Sequence, residues 1–243
     1  MQVVRGTSIL KQNAIGKLRF LHREFPEPAV ATRLSREEEW EHFCKAQQTG
    51  VLELAGLYNR AAQEVGSETA AIFAIHAMLL EDEDLSRMVR EQIFDHGTSA
   101  EYAVWKTAVD VTAAFRNMDD PYMKARGADI LDIATHVLRL LRGEELEAEP
   151  DLPIVLAADF FLPSEVMWAN GNGKLRGVIS RRGSTDSHTA MLLQAYHIPA
   201  FVDVELDEKW HGHPALLDGH AGEIYLDPDG ETLKIHGLTT EFT

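Results

Sequence analysis

Gly183-Ser184-Thr185-Asp186-Ser187-His188-Thr189-Ala190-Met191-Leu192-Leu193 is the stretch on which the reading of this chain turns. A glycine and a run of small hydroxyl residues lead straight into an apolar pattern of helical spacing, and a histidine stands at the junction. Ser187 suits an N-cap, so a helix is expected to start beside it and to run through Leu192, Leu193 and Ala195. A helix start offers unpaired backbone N–H groups and a partial positive charge, which together favour an anion, phosphate included. An imidazole with an available lone pair next to such a cradle has what a phosphoryl-accepting histidine needs. A lone histidine more commonly caps a helix or fills a gap. Here the glycine, the hydroxyls and the helix start accompany it, and both readings stand at this point.

Working outward, the chain changes character twice. Gln2–Arg5 and 16–21 read as short strands, after which Pro26 and Pro28 break the pattern. From there the spacing is helical. Ser35 with Glu38 forms a capping box ahead of Trp40 and Phe43, and an apolar stripe continues from Val51 to Val65, with Gly50 a weak point. Further helices are expected from Thr69, from Asp84-Leu85 to a stop near Gly97, from Ser99, and from Asp120-Pro121 to a C-cap at Gly143. An acidic linker, Glu144 to Pro150, leads into β/α alternation. It comprises a strand at Ile154–Ala157, a helical turn from Pro163, a strand at Gly177–Ile179, the His188 loop and helix, and a strand at Pro199–Val202. A hairpin (215–219 with 223–226) and a turn at Asp227–Gly230 follow. The expected fold class is α/β plus all-α. Residues 1–33 and 144–243 form a β/α domain, interrupted by an antiparallel helical-hairpin subdomain over 34–143.

Composition narrows the function. The 243 residues are 45% hydrophobic, enough for real cores, yet no run of about 18 apolar residues exists to span a membrane. The first residues carry no basic segment followed by an apolar one, and Cys44 is the only cysteine, so a cytoplasmic protein without disulfides is expected. A formal charge of −16 disfavours nucleic acid and anionic membranes as partners and suits a basic protein partner. His211, His213 and His220 lack metal-ligand spacing and are read as surface residues, so no metal site is expected in this chain.

The segment 183–191 resembles the G-G-x-T-S-H-x-A-I signature of phosphohistidine swivelling domains, and Ile198-Pro199-Ala200-Phe201-Val202 resembles the I-P-A-V-V strand of that family. Within it, Ala71 to Leu85 and Asp119-Asp120-Pro121-Tyr122-Met123-Lys124-Ala125-Arg126-Gly127-Ala128-Asp129-Ile130-Leu131-Asp132-Ile133 are similar to segments of enzyme I of the bacterial phosphoenolpyruvate:sugar phosphotransferase system. Ala157-Ala158-Asp159 with Leu162-Pro163-Ser164-Glu165 resembles the A-D-L-T-P-S-E segment of the same family. The matches cover nearly the whole chain in the family's order.

The resemblance implies a swivelling β/α domain whose histidine, His188, takes a phosphoryl group on the nitrogen distal to the backbone and exchanges it with the small carrier HPr. Gly183, Ser184, Thr185, Ser187 and Thr189 would form the phosphate loop. The helical subdomain would dock HPr through His76, Met78, Leu79, Asp82, Asp84, Leu85 and Arg126, an acidic face suiting a carrier with basic residues. The family's phosphoenolpyruvate and magnesium sites lie in a C-terminal barrel, so no cofactor is expected in this chain, and magnesium only where that domain is present as a partner. Three departures stand out. Arg182 replaces a signature glycine, and Val166 replaces a threonine that bonds the active histidine. Asp186, an extra carboxylate, either opposes the phosphate or caps the helix in place of Ser187. The alternative reading is a non-catalytic HPr-binding module with a degenerate loop.

Overall fold

The computed structural model describes residues 1–21, 25–144 and 152–238. In chain order the elements are β1 (Gln2–Arg5), β2 (Thr7–Ser8), β3 (Asn13–Phe20), α1 (Arg36–Val65), α2 (Ser67–Leu80), α3 (Glu83–Phe94), α4 (Ala100–Arg116), α5 (Pro121–Arg142), β4 (Ile154–Ala158), α6 (Pro163–Ala169), β5 (Leu175–Ser180), α7 (His188–Ala195), β6 (Ala200–Val202), β7 (Pro214–Asp218), β8 (Glu223–Leu226) and α8 (Gly230–Ile235). They fall into two compact units, residues 1–23 with 148–243, and residues 24–147. Apart from Glu144, the acidic linker lies outside the described residues.

In the β-containing unit the strands run in the order β1-β8-β7-β3-β4-β5-β6-β2. The two end strands are consecutive pieces of one extended segment. Gln2–Arg5 pairs with β8 and Thr7–Ser8 with β6, and only Gly6 lies between them. The sheet therefore curls round so that its two ends meet at that residue. A Cβ on Gly6 would stand 2.5 Å from Val204 Cγ2 and 3.0 Å from the Val202 carbonyl oxygen, which explains the glycine. Gly6→Val is accordingly expected to cost about 2–3 kcal/mol through overpacking. Urea unfolding checks this, and a midpoint equal to wild type would contradict closure at Gly6.

β3, β4, β5 and β6 form a parallel core. Every residue of β4 is buried, because the strand is covered on both faces. Val155 and Ala157 point into the closed sheet with Leu18, Phe20, Ile179, Phe201 and Leu217, whereas Ile154, Leu156 and Ala158 point outward to Val166 of α6 and Leu193 of α7. The apolar run at 154–158 reflects this double burial.

In the helical unit, α1 begins at the reciprocal Ser35–Glu38 capping box. It passes through Gly50 without a break. A Cβ there would lie 2.9 Å from Leu80 Cδ2 and 3.4 Å from His136 Cδ2, so the glycine marks a close crossing of α2 and α5. Helices α2 and α3 start earlier than the sequence suggested, at Ser67 and at Glu83, the latter capped by Asp82. α4 is capped by Ser99 as expected, and the buried Glu39 carboxylate accepts from the Ala100 N–H at 2.8 Å. The proline-containing stretch before α1 is tied to α4. Trp105 Nε1 donates to the Phe25 carbonyl at 3.3 Å, and Ser99 Oγ to that of Ala29 at 2.8 Å. The helical unit thus takes in residues well ahead of α1.

Candidate functional site

β4 and β5 are parallel neighbours whose last residues, Ala158 and Ser180, lie in register. The loops that follow them, 159–162 and 181–187, therefore leave the same carboxyl edge of the parallel core. The carboxyl edge of parallel strands is where α/β folds, open or closed, place their ligands. Backbone and side chains tie the two loops together. The Arg182 N–H donates to the Asp159 carbonyl at 2.8 Å. Arg181 donates through Nη1 to Asp159 Oδ1 at 2.6 Å and through Nη2 to the Leu206 carbonyl at 2.9 Å.

Gly183 sits where the second loop crosses β6. A Cβ there would stand 2.5 Å from Val202 Cγ1, so the signature glycine and the Ile198–Val202 strand motif depend on each other. Residues 184–187 then turn tightly. Ser184 Oγ accepts from the Asp186 N–H at 3.2 Å, and Ser187 Oγ donates to the Ser184 carbonyl at 3.0 Å. Ser187 is the N-cap of α7, accepting from the Ala190 N–H at 3.1 Å. Asp186 therefore does not cap the helix. It is exposed and accepts from Thr185 Oγ1 at 3.2 Å.

His188 is the first residue of α7 and is partly exposed. Thr189 reaches the other loop, its Oγ1 donating to the Phe161 carbonyl at 3.0 Å. Val166 and Leu162, which stand where the signature family carries hydroxyls, are each 1% exposed. The structure thus gathers Gly183, Ser184, Thr185, Ser187, His188 and Thr189 into one loop and helix start. Asp159 and Phe161 join them as anchors whose role the sequence reading did not assign; nothing local marks a backbone carbonyl as an acceptor.

The second set of candidates divides. Met78, Leu79, Asp82, Asp84 and Leu85 lie at the end of α2 and the start of α3, with Met78 71% exposed and Leu79 and Leu85 half-buried. Asp82 Oδ1 accepts from the N–H groups of Asp84 and Leu85, and Asp84 pairs with Arg87 at 2.6 Å. His76 requires a correction. It is 0% exposed, its ring held 3.4 Å from Asp129 Oδ1 and 3.5 Å from Asp132 Oδ2, so it cannot touch a docked protein. Arg126, half-buried, pairs with the same Asp129 at 2.9 Å. His136 lies nearby on α5, its Nε2 2.9 Å from Glu53 Oε2; burial, and then the Arg139 charge, hold its imidazole below the ordinary range.

A histidine at the start of an outer helix on a closed, partly parallel sheet, in a chain that also carries a five-helix unit among the described residues, defines a class. It is the N-terminal and mobile-domain region of PEP-utilising enzymes. Family models match on both counts, "PEP-utilising enzyme, N-terminal" over residues 5–126 and "PEP-utilising enzyme, mobile domain" over residues 151–222. The chain belongs to this family.

Among its relatives are phosphoenolpyruvate-protein phosphotransferases. That of Geobacillus stearothermophilus is 32% identical over 186 residues, covering 74% of this chain and 32% of the relative. That of Bacillus subtilis strain 168 is 30% identical over 241 residues, covering 96% of this chain and 42% of the relative. The chain thus spans about a third to two fifths of the length of these relatives. Two solved structures align with 96% of it at 25% identity: an NMR solution structure of Enzyme I (nEIt), with a TM-score of 0.73, and the N-terminal domain of Enzyme 1 - Nitrogen, with 0.67.

Proposed function

We propose that this chain is the histidine-phosphorylated part of a phosphotransferase-system enzyme I, relaying a phosphoryl group between phosphoenolpyruvate chemistry and the carrier HPr through His188. The observation that carries the reading is the placement of His188. It stands at the first turn of α7, on the carboxyl edge of the parallel core, inside a loop that matches the family's mobile domain.

In the transfer, a ring nitrogen of His188 attacks the phosphorus of phospho-HPr. One N–P bond forms as the carrier's N–P bond breaks, and the carrier imidazole leaves with the electron pair. The family resemblance assigns the role to the nitrogen distal to the backbone. The first backbone N–H groups of α7 favour the oxyanions by charge and by hydrogen bonding. Ser187 fixes that turn through its bonds to Ala190 and Ser184. Phosphoenolpyruvate and magnesium would be bound by the additional domain of a longer protein. Among the described residues no group of three His, Cys, Asp or Glu is placed to hold a metal ion. Nor, among the described residues, is any helix long and apolar enough to cross a membrane.

HPr would dock on the α2–α3 corner, where the exposed Met78 supplies apolar area and Asp82 and Asp84 supply negative charge. Met78→Asp is expected to weaken HPr binding at least tenfold, on the order of burying one methionine, and by more than the single reversal Asp84→Lys. Raising salt should weaken the wild-type complex through a slower association rate, since screening acts within about 10 Å at 0.1 M. Calorimetric titration with HPr measures both effects, and an unchanged affinity in Met78→Asp would move the interface elsewhere. The function itself is tested by incubating the chain with radiolabelled phospho-HPr. Label should pass to the chain and return when excess unphosphorylated HPr is added. Binding without label transfer would leave a docking module.

A further inference from the structure

Of the four hydroxyls around His188, three have already spent their only proton. Thr185 Oγ1 donates to Asp186 Oδ1 at 3.2 Å, Ser187 Oγ to the Ser184 carbonyl at 3.0 Å, and Thr189 Oγ1 to the Phe161 carbonyl at 3.0 Å. Phosphoryl oxygens accept hydrogen bonds and a hydroxyl has one proton to give, so these three groups cannot hold a phosphate without breaking the loop's own bonds. Two of the three bonds stay within residues 184–187. The third crosses to another segment.

Its acceptor is a firm anchor. Phe161 and Leu162 are buried, and Phe161 packs in the apolar cluster under α6 and α7. The Leu162 N–H is fixed by Glu165 Oε2 at 2.8 Å, immediately before Pro163 opens α6. On the other side, Ala190, Leu192 and Leu193 seat α7 on the sheet. Thr189 is next to His188 in the first helical turn, the part of a helix that frays most readily.

We propose that Thr189 is a positioning residue, its hydroxyl tethering the first turn of α7 to the β4–α6 loop and thereby fixing the direction in which His188 presents its ring. The proposal rests on the phosphohistidine reading for its consequence in catalysis, and on geometry alone for its effect on the ring. It assigns Thr189 to the scaffold rather than to the phosphate. A hydroxyl that held the phosphoryl group would favour the phosphorylated state and so shift the transfer equilibrium. A tether orients the ring in both states and so changes the rate in both directions together.

The test compares Thr189→Val, which keeps the shape and removes the donor, with Thr189→Ser, which keeps the donor. Transfer from phospho-HPr should slow about tenfold in both directions in Thr189→Val, with an unchanged equilibrium constant, and Thr189→Ser should restore most of the rate. In parallel, NMR couplings of the His188 side chain should show averaging over rotamers in Thr189→Val and a single rotamer in wild type and in Thr189→Ser. A shifted equilibrium constant with a fixed ring would overturn the proposal and make Thr189 a phosphate ligand. Wild-type rates and an unaltered ring in Thr189→Val would also overturn it. If wild-type protein accepts no label, the phosphohistidine reading falls, and the His188 couplings still decide whether the tether exists.

Discussion

His188→Ala is expected to bring phosphoryl acceptance from phospho-HPr down to background while the protein stays folded. The loss should be complete because no other group in the loop offers a comparable nucleophile. His188 is the only imidazole in the stretch Arg181–Gln194, and a neutral hydroxyl is a far weaker phosphoryl acceptor than an imidazole lone pair. Stability should change by less than about 1 kcal/mol, since the residue is partly exposed and the cap of α7 is Ser187 rather than the histidine. Label incorporation and a melting curve on the same preparation separate the two effects. Label in the variant at the wild-type rate would place the chemistry on another residue.

The second large effect is expected inside the helical unit. His76 lies between two carboxylates, Asp129 and Asp132, which are 5% and 2% exposed, with Arg126 on the far side of Asp129. His76→Ala leaves both carboxylates buried with one neighbour fewer and opens a cavity at a fully buried position. Truncating a fully buried side chain leaves a cavity and removes a polar neighbour from two buried carboxyl groups, together worth about 2–4 kcal/mol. Denaturant unfolding of His76→Ala should show a loss of that size. His76→Ala combined with Asp132→Asn should recover part of it, since one of the stranded charges is then gone. A loss below about 1 kcal/mol in the single variant would mean that His76 contributes little to the packing of the helical unit.

The same residue shows why part of the site was not legible in the sequence. α2 reads Ser-Glu-Thr-Ala-Ala-Ile-Phe-Ala-Ile-His-Ala-Met-Leu-Leu, with apolar side chains on every side. Helical periodicity therefore cannot tell its buried face from its outward one, and His76 and Met78, two positions apart, end up inside and outside respectively. The corner at Asp82–Leu85 was singled out by the family resemblance alone; its acidic run reads locally as a solvated face, and the Asp82 cap was not read.

The α7 start, by contrast, was legible in the residues themselves. A glycine, an N-cap serine and an apolar helical pattern are local signals, and each corresponds to a feature of the folded loop. The tether from Thr189 to Phe161 was not, since its acceptor is a backbone carbonyl 28 residues away. Closure of the sheet was hidden for the same reason. β2 is two residues long, and its pairing with β6 spans almost the whole chain. α8 was read as no more than the end of a turn at Asp227–Gly230. Asp229 caps a helix of six residues there, too short for a periodic signal. Gly50, read as a weak point in α1, is instead what lets Leu80 and His136 approach the helix.

The central claim is that His188 carries the phosphoryl group. It is tested most directly by incubating the wild-type chain with phospho-HPr at alkaline pH and locating the added mass by fragmentation. The account predicts one phosphoryl group per chain, on His188, stable in base, lost in acid and returned to excess HPr. A phosphoryl group on any other residue, or none under conditions in which HPr is bound, would contradict it.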